Sequence, residues 1–325
     1  MSDRVTRMPA DEVAAADSVQ GWALSDHPER GDGRRPVDLL FLHGMSGGGW
    51  IWPRSWIARF RDEGYRCHVL TLPGRDGGQT LASDPAALDR ALSLAVSGRD
   101  PERALDLLGR ALPGAALFDG SDLDDFTDAL AAALSRIGRP VVVVGHSLGG
   151  AVAQSLIRRG GAPAGTVLLC SVPPYGMWRA SMQMALLNPS LWRNLARFSL
   201  FGADHADMAV MRDNLFPGGI DGHSFAALQG RLRDESLAAM LQAGGFPPFA
   251  PLPGPRGDVM VIGGARDRFV PALDAMLTGL WYGGAARLLP GAGHMPMQEP
   301  ASQTSLAAMM LGWLDRFGAA TAEAA

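Results

Sequence analysis

The pentapeptide Gly145-His146-Ser147-Leu148-Gly149 constrains this chain more than any other feature. It stands between an apolar run at 141–144 and a stretch with helical periodicity at 151–159. A serine with glycines two residues away on either side, at a strand-to-helix junction, has the pattern of a nucleophile elbow. Side chains at the flanking positions of so tight a turn would clash, and glycine removes the clash. The expected result is a hydroxyl raised clear of the sheet edge, beside a helix N-terminus that favours negative charge.

Strand-like runs alternate with helical patterns on both sides of the elbow. Strands are predicted at 37–42, 66–72, 166–171, 258–262 and 286–289, and helices near 53–63, 122–137 and 301–317. In the second helix Leu123, Phe126, Leu130, Leu134 and Ile137 recur at helical spacing, and Ser121 or Asp122 can cap it. Such alternation predicts an α/β fold with a mostly parallel sheet and helices on both faces. Two segments interrupt the rhythm. Residues 79–120 hold two short helical patterns opened by Asp84-Pro85 and Asp100-Pro101. Residues 172–253 are rich in Met, Trp and Phe, and read as a helical cap with a small core of its own and an apolar wall that Met side chains can adapt. The expected organisation is a polar segment at 1–36 with a candidate edge strand at 19–24, a core at 37–171 and 254–318, the cap at 172–253, and a tail at 319–325.

Bulk properties narrow the function classes. A chain of 325 residues can bury a large core as one α/β domain. Its net charge of −4 offers no basic footprint for nucleic acid. Two cysteines make no disulfide framework, and Cys67 and Cys170 lie in apolar runs, as buried free thiols do. No apolar run approaches the roughly 20 residues of a membrane span. The first 24 residues carry acids and lack an apolar stretch, which argues against a signal peptide and for a cytoplasmic protein. No His and acid pair has metal-ligand spacing, and no metal is expected.

A serine hydroxyl is a weak nucleophile that needs a neighbouring base, and the base needs an orienting carboxylate. Among seven histidines the base is expected at His294, in the glycine-rich loop Gly291-Ala292-Gly293-His294 after a predicted strand. The acid is expected at Asp267, just after the strand at 258–262, with Asp274 as fallback. Both would lie on the carboxyl rim of the sheet, where ligand groups gather in open α/β folds. The order Ser, Asp, His along the chain differs from that of the unrelated serine proteases. Backbone N–H groups of Leu148 and of Met45, directly after His43-Gly44, are the expected oxyanion donors. His43 reads as a structural residue of its loop, and His146 as a packing position. Trp50, Met177, Trp178 and Met295 are expected to wall the substrate pocket.

These motifs resemble the α/β-hydrolase fold superfamily, in particular its esterase- and lipase-like members with a helical cap. The resemblance rests on His43-Gly44 with the following glycines, Leu72-Pro73-Gly74, Gly145 to Gly150, Gly264-Ala265-Arg266-Asp267 and Gly293-His294. It spans roughly residues 37–317 and implies a sheet of about eight strands, a Ser147–His294–Asp267 triad and no cofactor. The insertion at 79–120 departs from the family and is expected to cover the pocket rim. The function expected is hydrolysis of a small-molecule carboxylic ester with a sizeable apolar portion. Thioester, lactone or C–C bond cleavage and acyl transfer would use the same parts, because the pocket selects the bond and the acceptor. Non-catalytic binding of a small hydrophobic ligand is the alternative of a different class. The oligomeric state has no sequence signature here.

Overall fold

The structure, a computed structural model, describes residues 17–19, 22–30, 34–74, 85–97, 100, 102–104, 106–107, 121–233 and 235–319. In chain order the first elements are β1 (Asp17–Val19), β2 (Trp22–His27), β3 (Asp38–Leu42), α1 (Arg54–Asp62), β4 (Cys67–Thr71) and α2 (Pro85–Ser97). Next come α3 (Leu123–Ile137), β5 (Val141–His146), α4 (Leu148–Arg158) and β6 (Gly165–Leu169). Between β6 and the next strand lie α5 (Trp178–Leu187), α6 (Pro189–Phe201), α7 (Met208–Leu215), α8 (Gly222–Gln229) and α9 (Leu237–Ala243). The chain closes with β7 (Val259–Gly264), α10 (Ala272–Trp281), β8 (Arg287–Leu289) and α11 (Pro300–Ala319).

The central strands are apolar on both faces because helices cover both. Leu39 and Phe41 of β3 join Val142, Val144, Val167 and Leu169 in one core, against Trp56 and Phe60 of α1 and Leu306 and Trp313 of α11. Leu40 and Leu42 point the other way, with Val141 and Val143, into a second core against Phe126 and Leu130 of α3 and Val152 of α4. The two-residue period of a strand thus sorts one apolar run into two layers. Each large side chain so buried contributes about 1.5–3 kcal/mol. Asp122 caps α3 by accepting from the Asp124 and Asp125 N–H groups, and Gly138 ends the helix in a left-handed turn.

The eight strands form one sheet in the order β1-β2-β4-β3-β5-β6-β7-β8. β1 pairs antiparallel with β2 and β2 antiparallel with β4 at one edge, and the remaining pairings, from β4–β3 to β7–β8, are parallel. The register sets Leu42 beside Gly145, His146 beside Leu169 and Gly264 beside Leu289, so these strands end on one rim. The edge strand expected at 19–24 is instead divided between β1, which forms the edge and ends at Val19, and β2, which lies inside it and continues to His27. The backbone of β2 pairs with β4 from Ala23–Thr71 to His27–Cys67, and a strand near the edge of an antiparallel sheet needs no apolar outer face to do so. Cys67 and Cys170 are free and buried. No helix among the described residues is long and apolar enough to cross a membrane.

Helix α2 lies in the expected insertion at 79–120. Its Ala87 packs on Phe201 of α6. Asp100 accepts from the Arg103 N–H (2.9 Å), as the second Asp-Pro pattern predicts for a helix start. The rest of that pattern beyond residue 107, the segment before residue 17 and the tail after 319 fall outside the described residues. In urea titrations Phe126→Ala should lower the unfolding free energy by about 3–5 kcal/mol, since it empties the contact between α3 and the sheet.

Candidate active site

Ser147 sits between β5 and α4 with φ 52° and ψ −116°, a conformation non-glycine residues rarely hold. The surroundings over-determine it. The Ser147 N–H donates to the Leu169 carbonyl (3.1 Å), and its own carbonyl accepts from Gly150 and Val172. A Cβ at Gly145 would stand 2.5 Å from the Gly149 carbonyl oxygen, and one at Gly149 would stand 2.5 Å from the His43 carbonyl oxygen. Glycine is therefore required where the elbow touches itself and the loop after β3.

The structure brings the three predicted side chains together. The Ser147 hydroxyl donates to His294 Nε2 (3.0 Å), and His294 Nδ1–H donates to Asp267 Oδ2 (2.8 Å). The other Asp267 oxygen accepts from the N–H groups of Phe269 (2.8 Å) and Val270 (3.0 Å). That turn holds the carboxylate still and aims it at the imidazole. Asp267 and His294 are both buried. The fallback acid Asp274 lies elsewhere. It is buried in α10 and accepts from Tyr175 Oη (2.5 Å) and Arg179 Nε (2.7 Å).

His146 ties down the loop that carries His294. Its Nε2–H donates to the His294 carbonyl (2.8 Å), with the two rings 5.0 Å apart. Burial first, then the charge of His294, pushes its pKa down to about 3, so the ring is neutral at ordinary pH. His43 accepts the Leu72 N–H at Nε2 (3.0 Å) and donates from Nδ1 to the Gly44 carbonyl (2.8 Å), shaping the loop after β3.

A cavity of about 240 Å³ opens over Ser147. Met45 and Leu148, the expected oxyanion donors, line it, as do Trp50, Met177 and Met295 of the expected wall. Leu148 opens α4, so its N–H has no carbonyl one turn earlier to bond. Trp178 does not line the cavity, contrary to expectation. Met177 and Ser181, four apart, face inward, whereas Trp178 lies about 100° round the helix and is 49% exposed. Phe198, Met208, Met211, Phe216, Phe225 and Phe269 supply much of the wall. The Met and Phe richness of 172–253 signals such a wall, but not which residues turn inward. No described residue of the 79–120 insertion reaches this cavity, and α2 instead backs the outer side of α6.

Glu299 has no signal in the sequence beyond a place before Pro300 at a helix start. It is fully buried, and one of its oxygens accepts from the Gly293 N–H (3.0 Å) and Ser302 Oγ (3.1 Å). Its other oxygen accepts from the Gly218 N–H (2.9 Å). The His294 N–H donates to the Leu215 carbonyl (3.1 Å). The histidine loop is thus tied to the segment after α7.

Donor atoms of Cys170, Asp267 and His294 lie within 4.8 Å of one another. They suit a cation poorly. Burial, then the Asp267 charge, raises the Cys170 thiol well above its ordinary range, and it donates to the Gly293 carbonyl (3.7 Å). A thiol held protonated is no metal ligand, and the other two groups are already bonded to each other.

Residues 39–304 match the family described as the alpha/beta hydrolase family. The chain belongs to that family. No match was found among curated proteins. Among solved structures of alpha/beta hydrolase type, the esterase RhEst1 from Rhodococcus sp. ECU1013 superposes with a TM-score of 0.55 at 18% identity, over 93% of this chain and 98% of that one. A bromoperoxidase from Bacillus anthracis gives 0.53 at 16%, over 90% and 96%. The N-acyl homoserine lactonase AidH, complexed with N-butanoyl homoserine, gives 0.58 at 17%, over 93% and 95%. At these identities the likeness is one of alpha/beta hydrolase fold, and the three names show how varied its chemistry is.

The state of His146 leads to a test. Between pH 6.5 and about 3 the unfolded imidazole binds a proton that the native one refuses. Stability therefore falls as pH falls through that window, by up to about 1.4 kcal/mol per pH unit from this group. His146→Gln, which keeps a donor toward His294, should flatten that part of the curve in urea titrations from pH 7 to pH 4.

Proposed function

We propose that this protein is a serine hydrolase that cleaves a carboxylic ester with a sizeable apolar portion through an acyl-enzyme on Ser147. One observation carries the reading: the unbroken hydrogen-bond chain from the Ser147 hydroxyl through His294 to Asp267, at the floor of an apolar cavity. Because Nδ1 of His294 carries its proton toward Asp267, Nε2 presents a lone pair to the serine. Ser147 Oγ attacks the ester carbonyl carbon as its proton passes to Nε2. Asp267 stabilises the imidazolium and fixes the tautomer. The Met45 and Leu148 N–H groups receive the oxyanion, a kind of contact worth about 3–4 kcal/mol in the transition state. Collapse expels the alcohol, which takes the proton from His294. Water, deprotonated by the same nitrogen, then releases the acid.

We read 172–253 as the cap that closes this site from water, with its helices supplying the apolar wall. No charged side chain lines the cavity among the described residues, which favours an uncharged acyl or alkyl group there.

Ser147→Ala should abolish turnover of p-nitrophenyl butyrate by about 10⁴-fold or more and remove labelling by a fluorophosphonate probe. Undiminished turnover by the variant would refute the reading. In a series of p-nitrophenyl esters, kcat/KM should rise from acetate to a medium-length acyl chain, by about 10-fold or more per few methylenes buried. A parallel thioester series checks the choice of bond, and a consistent preference for thioesters would reassign the substrate class.

A further inference from the structure

The loop after β3 is held in place by the cap. Ser46, next to Met45, has φ 55°, which a serine holds only when its surroundings insist. Both of its backbone groups are bound by one segment between α8 and α9. The Ser46 N–H donates to Glu235 Oε2 (2.9 Å), and the Ser46 carbonyl accepts from the Arg233 N–H (3.0 Å). The other Glu235 oxygen accepts from the N–H of Ser236 (3.1 Å), the residue that caps α9. Glu235 is 2% exposed, so its bond to Ser46 is shielded from water. The Arg231 guanidinium lies 5.3 Å from the centre of the Trp50 ring, on the same loop. A buried carboxylate at this place is costly unless it is fully used.

We infer that Glu235 is a positioning residue for the oxyanion hole: by holding Ser46 in its left-handed turn it aims the Met45 N–H at the developing oxyanion, so the hole is complete only while this part of the cap is seated. The inference rests on the serine-hydrolase reading above. The peptide plane that carries the Met45 N–H is one residue from the one Glu235 grips, so release of Ser46 lets that donor swing. Misplacement of a reacting or stabilising group by about 1 Å costs on the order of 100-fold. The binding wall stays, because most of it comes from other residues.

The test uses the full-length protein and p-nitrophenyl butyrate. Glu235→Ala should lower kcat by about 10- to 100-fold with KM within about two-fold. Binding of a trifluoromethyl ketone, whose hemiketal oxygen sits where the oxyanion forms, should weaken by the same factor as kcat. Two further variants keep the test decisive if the alanine protein fails to fold. Glu235→Gln keeps an oxygen that can accept from the Ser46 N–H, and should retain kcat within a few-fold. Glu235→Asp keeps the charge but is one methylene short of Ser46, and should lose kcat as alanine does. Unchanged kcat in the alanine or aspartate variant, equal loss in the glutamine and aspartate variants, or a loss confined to KM overturns the inference. If the wild-type protein neither turns over the ester nor takes up the ketone, the hydrolase reading falls and this inference with it. An active wild type with indifferent Glu235 variants removes the inference alone.

Discussion

Everything in the site depends on one strained turn. Ser147 occupies a backbone conformation that costs of order 1–3 kcal/mol, and it does so because β5, α4 and the loop after β3 meet there without side chains between them. Gly145 and Gly149 make the approach possible, and the hydrogen bonds to Leu169, Gly150 and Val172 keep it. The parallel sheet provides the rigidity against which the strain is stored. Its fully buried strands β3, β5 and β6 cannot shift without opening two cores at once.

The same rim gathers the other groups. Asp267 follows β7 and His294 follows β8, so parallel pairing alone brings loops distant in sequence to one edge. Their fine placement comes from backbone donors and buried carboxylates rather than from side-chain bulk. Asp267 is held by two N–H groups, and Glu299 holds the loop of His294.

The core was legible in the sequence because its signals are local. A run such as 141–144 followed by Gly-x-Ser-x-Gly needs no distant partner to be recognised, and the helix at 122–137 carries its own cap and periodicity. Ser147, His294 and Asp267 could be named because each stands just past an apolar strand. The edge was misplaced because β1 and β2 are defined by their pairing with each other and with β4, and little in their own residues marks where each ends. Trp178 was misassigned because composition says that a segment is apolar and leaves open which way each side chain turns. Its neighbour Met177 faces the cavity while it faces solvent.

By itself the sequence determined the alternation of strands and helices, the elbow, and the chain order in which Ser147, Asp267 and His294 reach one rim, since these follow from periodicity and from glycines at fixed offsets. Tertiary structure alone decided which aromatic and methionine side chains wall the cavity. It also decided that Glu235 and Glu299 are buried, the first against Ser46 and the second between Gly218 and Gly293. A carboxylate in a polar stretch of sequence looks like any solvated acid, and only the fold removes the water and puts a backbone N–H in its place.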